Sequence, residues 1–510
     1  MINRNKKIAI VFLLIGLMMI GFFSACKKNF FNVNTNPNNP ADVTVDYLLP
    51  SAEAAIGQAL GDNLAIYGGI WGQFWTQNPA SSQYISLEQY APQSNDMDYP
   101  WGILYQTALI DLQTIVTKAT TTNQTQYIAV AKILQAYTYQ LISDNWGDVP
   151  YSQALQAQSG ILSPMYDPQK SVYTGILKLV NDGLALLDTT LAKGTPGIPA
   201  SNDLLCQGQM TLWKHFANTL KLKICLRLSG IDPATAQNGI ASLNAVSAQY
   251  LQSGEEVEVN YSTTGGNTNP LYSSYVSLGN IQNLVASSTA INYMNTYGDW
   301  RLYTFYTGAN GITQGAGPKL APGTPVSYPS AAVGGGNDAS GIATPATAPV
   351  ILMSSYEALF LQAEAVARGW MPGVDSVLYY EGITENYTVW ITPMSLGNYG
   401  QAFGPDSAIS WATGYYAQDS IKYPSSGTFA QKLRAIIIQK WSSMCGNQNN
   451  EAWIEWRRTT YPDFFVKSVT SIIGGNKMPQ RMLYPNNEVT TNQNFPGQKT
   501  IDTKVWWDVN

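Results

Sequence analysis

Two stretches of the chain set aromatic rings beside side-chain amides. In one, Trp75, Gln77, Asn78, Tyr84 and Tyr90 follow one another closely; in the other, Trp300, Tyr303 and Tyr306 come after Asn280, Gln282 and Asn283. A flat aromatic face suits the apolar side of a pyranose ring, and amides serve its hydroxyls. The chemistry this predicts is non-covalent capture of a neutral sugar. The candidate ligand-binding residues are Trp75, Asn78, Tyr84, Tyr90, Asn283, Trp300, Tyr303 and Tyr306. The competing reading is that these rings pack loops onto a scaffold.

Residues suited to covalent chemistry are sparse. The single histidine, His215, falls between Trp213 and Phe216 in a helical pattern and reads as structural. No Gly-x-Ser-x-Gly elbow, His-Glu-x-x-His pair or phosphate-binding glycine loop occurs. A glycoside hydrolase needs only two carboxylates about 5 to 10 Å apart, so Asp144, Asp148 and Asp299 keep a secreted hydrolase as the alternative. Asp96-x-Asp98 lacks the further oxygen ligands of a calcium loop. Cys206, Cys225 and Cys445 have neither disulfide-framework nor metal-site spacing. The reading assigns no catalytic residue, no metal and no cofactor.

Charged residues make up 12% of the 510-residue chain, about half the usual ~25%. The net charge is −5, with 31 Tyr and 14 Trp. A polar, weakly charged, aromatic-rich chain suits hydroxylated ligands and excludes a basic nucleic-acid footprint.

Residues 1–25 read as a processing segment. Arg4, Lys6 and Lys7 precede an apolar run, Ile8–Phe23, too short for a membrane span. The run ends in Phe23-Ser24-Ala25-Cys26, which resembles a bacterial lipobox, so Cys26 is the expected lipidation site. Residues 26–43, with the turn-rich Asn32–Pro40, would be a lipidated tether, and 44–510 a single domain.

The candidate residues hang on a largely helical pattern. Val350–Trp370 repeats apolar residues at three- and four-residue steps, carries Glu364 and Arg368 four apart, and ends at Gly369. The spacing also predicts helices over 44–60, 101–118, 126–143, 233–251, 374–391 and 429–444, with others opening at Asp167-Pro168 and around 213–224, 406–411 and 451–458. Trp71 and Trp75 stand four apart, as on one helical face. Between about 253 and 350 the period fades into a loop-rich excursion. The fold class is therefore all-α, a scaffold of paired helices of tetratricopeptide-like, α-solenoid type, without a clean 34-residue repeat.

Several stretches together resemble the SusD/RagB family of outer-membrane nutrient-binding lipoproteins. They are the lipobox-like Cys26, Trp146-Gly147-Asp148-Val149-Pro150-Tyr151, Gly298-Asp299-Trp300-Arg301, the 351–370 segment, 436–462 with its Arg457-Arg458-Thr459, and 478–488, in family order. Trp300 stands where the family pattern Asp-Pro-Arg has proline. The resemblance implies a tetratricopeptide-like helical scaffold with a loop-rich ligand-binding half and no enzymatic activity. It implies oligosaccharide or peptide ligands, a lipid anchor in the outer membrane facing the cell surface, and a SusC-type TonB-dependent barrel as partner. Asp148, Arg457 and Arg458 resemble family signature positions, and the role read for them is buried hydrogen bonding that fixes turns.

Overall fold

The computed structural model describes residues 43–190, 197–276, 283–321, 323–335, 345–391 and 404–510. Cys26, the leader and most of the tether lie outside them, as do Asn280 and Gln282. The compact unit that carries the fold is Val45–Asn510.

Among the described residues, thirteen helices of nine residues or more dominate. They are α1 (Val45–Gly61), α2 (Asn63–Trp71), α3 (Ile110–Thr122), α4 (Thr125–Trp146), α5 (Gln169–Leu186), α6 (Met210–Arg227), α7 (Pro233–Ala245), α8 (Ser288–Thr296), α9 (Ser355–Ala367), α10 (Asp375–Ile391), α11 (Pro405–Tyr416), α12 (Phe429–Ser443) and α13 (Asn449–Thr459). Successive helices pack as neighbours: α3 on α4, α4 on α5, α5 on α6, α6 on α7, then α9 on α10 and α10 on α11. This is the expected all-α scaffold of helix pairs. In α5 the buried stripe Val172, Tyr173, Ile176, Val180 and Gly183 follows the helical period.

Three two-stranded antiparallel ribbons tie loops to the helices: β1 (Trp75–Gln77) with β5 (Leu284–Ala286), β2 (Val149–Pro150) with β3 (Tyr166–Asp167), and β4 (Val257–Val259) with β6 (Val350–Met353). The last of these corrects the helix expected from Val350. Val350–Met353 is buried on both faces as a strand, and the helix begins only after Ser354, whose hydroxyl accepts from the Glu357 amide at 3.1 Å.

Two further expectations are revised. Trp71 and Trp75 do not share a helical face, because α2 stops at Trp71 and Trp75 opens β1. Asp167 does not cap α5; its carboxylate accepts from the amides of Tyr151 and Ser152 at 3.0 and 2.8 Å. The first amide of α5, Gln169, is instead taken by Asp148 at 2.8 Å. Asp148 thus holds a turn, as read from the sequence, but it is exposed rather than buried.

The charges that the composition makes scarce are concentrated inside. Lys223 of α6 lies 3.1 Å from Glu357 and 3.0 Å from Glu451. Arg227 reaches Glu451 at 2.7 Å, Asp144 at 3.3 Å and also Glu455. Lys440 of α12 completes the layer against Glu357 and Glu455 at 3.4 and 3.5 Å. Arg457 donates to the carbonyls of Gln480 and Asp144, each at 2.8 Å. So α13 carries Glu451, Glu455 and Arg458 on its inward face, pairs charges with α6, α9 and α12, and is tied to α4 by Arg457 through the Asp144 carbonyl.

Candidate functional site

The turn Gly298–Tyr306 builds the most exposed of the candidate aromatics. Gly298 takes φ +59°, a conformation that favours glycine. Asp299 and Arg301 then both point inward. Arg301 Nε donates to Asp299 Oδ1 at 2.9 Å, and Nη2 to Oδ2 at 2.6 Å. From α10, Tyr387 donates its hydroxyl to Asp299 at 2.9 Å, and Asn386 accepts from Arg301 at 3.0 Å. From α12, Gln439 accepts from Arg301 at 3.0 Å. The guanidinium also sits 5.0 Å over the Tyr387 ring and 5.4 Å over that of Tyr415. Burial opposes the charge of Arg301, but Asp299 outweighs it and raises the pKa.

With its neighbours on both sides locked into the core, Trp300 faces outward, 40% exposed. Its ring stacks on Trp411 of α11, with centroids 4.6 Å apart and planes 17° from parallel. Tyr303 stands beside it at 5.7 Å. Underneath, α11 is anchored by the buried Tyr415, whose hydroxyl accepts from Gln439 at 3.0 Å. The result is a half-exposed aromatic platform on a foundation of buried charge and hydrogen bonds. The Asp–x–Arg clasp forms with tryptophan in the middle position, and that substitution supplies the platform.

Trp411 was not among the sequence candidates. Its signal is its place on α11: Ala408, Ala412 and Tyr415 form the buried stripe, and a tryptophan beside that stripe has no core position to fill.

The other candidates lie elsewhere. Trp75 is fully buried; its ring fills the notch left by Gly69, where an added Cβ would come within 2.4 Å of it. Asn78 is buried as well, its amide donating to the Asn283 carbonyl at 2.8 Å. Gln77 donates to the same carbonyl at 3.2 Å, and Ser81 donates to the Asn283 side chain. Tyr84 is half-buried beside them. Tyr90 is buried and its hydroxyl accepts from the Ser468 amide at 2.9 Å. Tyr306 is buried and donates to the Phe74 carbonyl at 2.8 Å. In this arrangement Trp75, Tyr90 and Tyr306 offer no ring face to a ligand. They pack loops, as the competing reading has it. Gln77, Asn78, Tyr84 and Asn283 are brought together, as a knot that clamps 77–84 to 283.

Glu88 sits under this knot. It accepts from the Thr76 hydroxyl at 2.6 Å and the Gln77 amide at 3.0 Å. Burial pushes its carboxyl up to about 7 although those bonds pull the other way.

The carboxylates considered for hydrolysis have structural partners. Asp299 is held by Arg301, and Asp144 by Tyr173, Arg227 and the Trp507 indole at 2.8 Å. His215 Nδ1 lies 2.8 Å from Glu255.

The family profile described as starch-binding, associating with outer membrane, and SusD-like, matches residues 37–485. The chain belongs to the SusD-like family. Its fold matches a SusD homologue from Bacteroides uniformis with a TM-score of 0.72 and 23% identity, covering 91% of this chain and 100% of that one. A chitin-binding SusD homologue from Flavobacterium johnsoniae gives 0.72 at 22% identity, covering 91% and 96%. A third, from Bacteroides fragilis, gives 0.70 at 21%, covering 92% and 99%. No curated protein matches the sequence. The family is one of outer-membrane-associated binding proteins, and no helix among the described residues is long and apolar enough to cross a membrane.

Proposed function

We propose that this SusD-like protein captures a neutral oligosaccharide at the Trp300–Trp411 platform. It then delivers the ligand to a SusC-type TonB-dependent barrel while anchored to the outer membrane, facing the cell surface, through a lipid on Cys26. The observation that carries the reading is the stacked, half-exposed Trp300–Trp411 pair with Tyr303 beside it. The half-exposed indole pair, held rigid from below, presents apolar surface of the kind a pyranose ring needs, at little ordering cost. Tyr84 and Asn283, both half-buried, stay as secondary candidates.

Binding by stacking and hydrogen bonding involves no bond breaking, and the engagement of Asp144 and Asp299 with buried cations supports capture over hydrolysis. A chitin-binding relative makes chitin oligosaccharides the first ligands to try. The test is calorimetric titration of the chain starting after Cys26 with soluble chitin, starch and cellulose oligosaccharides, followed by sizing of the recovered ligand. Saturable heat with ligand of unchanged length is the expected result. Shortened ligand would replace capture with hydrolysis.

A further inference from the structure

A cleft of about 900 Å³ opens beside α9 and α10, and none of the platform residues lines it. One wall is the end of α7 with the segment 247–253; the other is the outer face of α10, and Tyr416 closes it from the last residue of α11. Trp411 and Tyr416 are five residues apart on that helix, hence turned by about 140° from one another. The helix therefore serves the platform with one face and the cleft with another.

The lining has a definite chemistry. Tyr416 and Tyr380 set their rings 4.6 Å apart, tilted by 38°, and the Tyr380 hydroxyl is fixed by accepting from the Tyr423 amide at 3.0 Å. The side-chain amides of Gln249 and Gln362 belong to the same lining. Glu381 contributes an exposed carboxylate at the mouth. The other carboxylate, Glu385, is pinned at the back by the Ser355 hydroxyl at 2.9 Å.

No lysine or arginine is among the described lining residues, so an anionic ligand would meet their carboxylates without a counter-charge from them. None of its described lining residues lies in a strand that a peptide could extend. The volume lies within the ~300–1,000 Å³ range of small-ligand sites. Phenol faces, amides and a carboxylate acceptor are the groups that recognise a ring bearing hydroxyls.

We propose that this cleft is a second carbohydrate site, for a neutral oligosaccharide, separate from the Trp300–Trp411 platform. It rests on the reading of the protein as a glycan binder, and two sites on one chain would let a single polymer be held at two points.

The test titrates maltohexaose, cellohexaose and chitohexaose into four proteins: the wild-type chain, the platform variant Trp300→Ala with Trp411→Ala, and that platform variant combined with Tyr416→Ala or with Glu381→Arg. Glu381 is exposed, so its replacement blocks the mouth without disturbing the core, and melting curves check all four. The expected result is that the platform double variant keeps one saturable site for one of these sugars. Tyr416→Ala and Glu381→Arg, each combined with the platform variant, then weaken that site at least tenfold. If wild type binds and the platform variant is silent, the cleft is overturned and the platform stands. If the cleft variants abolish binding that the platform variant retains in full, the cleft stands and the platform falls. Silence of the wild-type chain toward all three sugars overturns both.

Discussion

Arg458 grips Glu364 through two parallel hydrogen bonds, Nη1 to Oε1 at 2.8 Å and Nη2 to Oε2 at 2.6 Å, with both side chains buried. The pair joins α13 to α9, and Arg458 also bonds Glu455 while Arg368 covers the far side of Glu364 at 2.8 Å. Burial alone would raise the Glu364 pKa, but Arg458 and Arg368 outweigh it and hold it below the usual carboxylate value. Replacing Glu364 by Gln takes away one of the two carboxylates on the buried Arg458 and leaves Glu455 as its remaining partner. That should cost about 1.5–3 kcal/mol, the scale of a hydrogen bond to a charged group, read as a lower unfolding midpoint in urea. Because the folded pKa is depressed, the pair's contribution is present above the unfolded carboxyl value near ~4.3 and fades as pH falls below it. The gap between wild type and Glu364→Gln should therefore narrow in acid.

Gly68 lets α2 lie directly against α13. A Cβ there would come within 2.4 Å of the Asn450 backbone nitrogen, which cannot move without shifting the helix that carries Glu451 and Glu455. Gly68→Ala should lower the melting temperature by several degrees. Gly102→Ala is the matched control, since the nearest atom to its new Cβ is a flexible Gln106 oxygen at 3.9 Å. There the gain in helix propensity, about 0.5–1 kcal/mol, should leave stability equal or higher. Equal melting temperatures for the two variants would contradict the close-approach argument.

Much of this fold is legible in the sequence, because a helix burying one stripe writes its period into the chain; α5, α10 and α12 lie within a few residues of where the spacing puts them. Val350–Met353 is not, because a four-residue apolar run is the same signal for a buried strand and for the first turn of a helix. The aromatic candidates split for a similar reason. Trp75 and Trp300 are alike as residue types, and only the fold shows that Gly69 opens a notch for one while Asp299 and Arg301 turn the other outward. The buried setting expected for Arg457 and Arg458 rests on the family resemblance alone, because the partners of the α13 charges on α4, α6 and α9 stand between 94 and 313 residues away, beyond any local pattern.

Glu88 gives the knot at 76–88 a pH dependence of its own. Its carboxyl is raised to about 7 in the folded chain, mainly by burial, against ~4.3 when unfolded. Between these values the native state keeps a proton that the unfolded chain has released, so stability falls as pH rises through that window and levels off above it. Glu88→Gln imitates the protonated form. Relative to wild type it should gain stability from pH 5 to about pH 7 and level off above that, measured by thermal unfolding. A difference that does not change with pH would mean that Glu88 does not titrate there.

Cys26 is the expected point of membrane attachment. Cys26→Ala should move the protein from the membrane fraction to the soluble fraction without changing the sugar affinity of the folded domain. Retention in the membrane fraction would count against lipidation at this residue.

The platform makes a prediction that separates binding from folding. Trp300 and Trp411 cover one another at the surface, and the clasp that positions them runs through Asp299 and Arg301, not through the indoles. Trp300→Ala and Trp411→Ala should each leave the melting temperature within a degree or two of wild type. Each should weaken oligosaccharide binding about tenfold, ~1.4 kcal/mol, the scale expected when one stacking face is lost. Trp75→Ala should behave oppositely: its ring is fully buried against Gly69, so truncation should cost ~3–5 kcal/mol of stability. Any loss of binding in that variant should follow its unfolding. If Trp75→Ala instead keeps its stability and loses the sugar while Trp300→Ala binds normally, the ligand sits at the 75–90 loop and the platform is not its site.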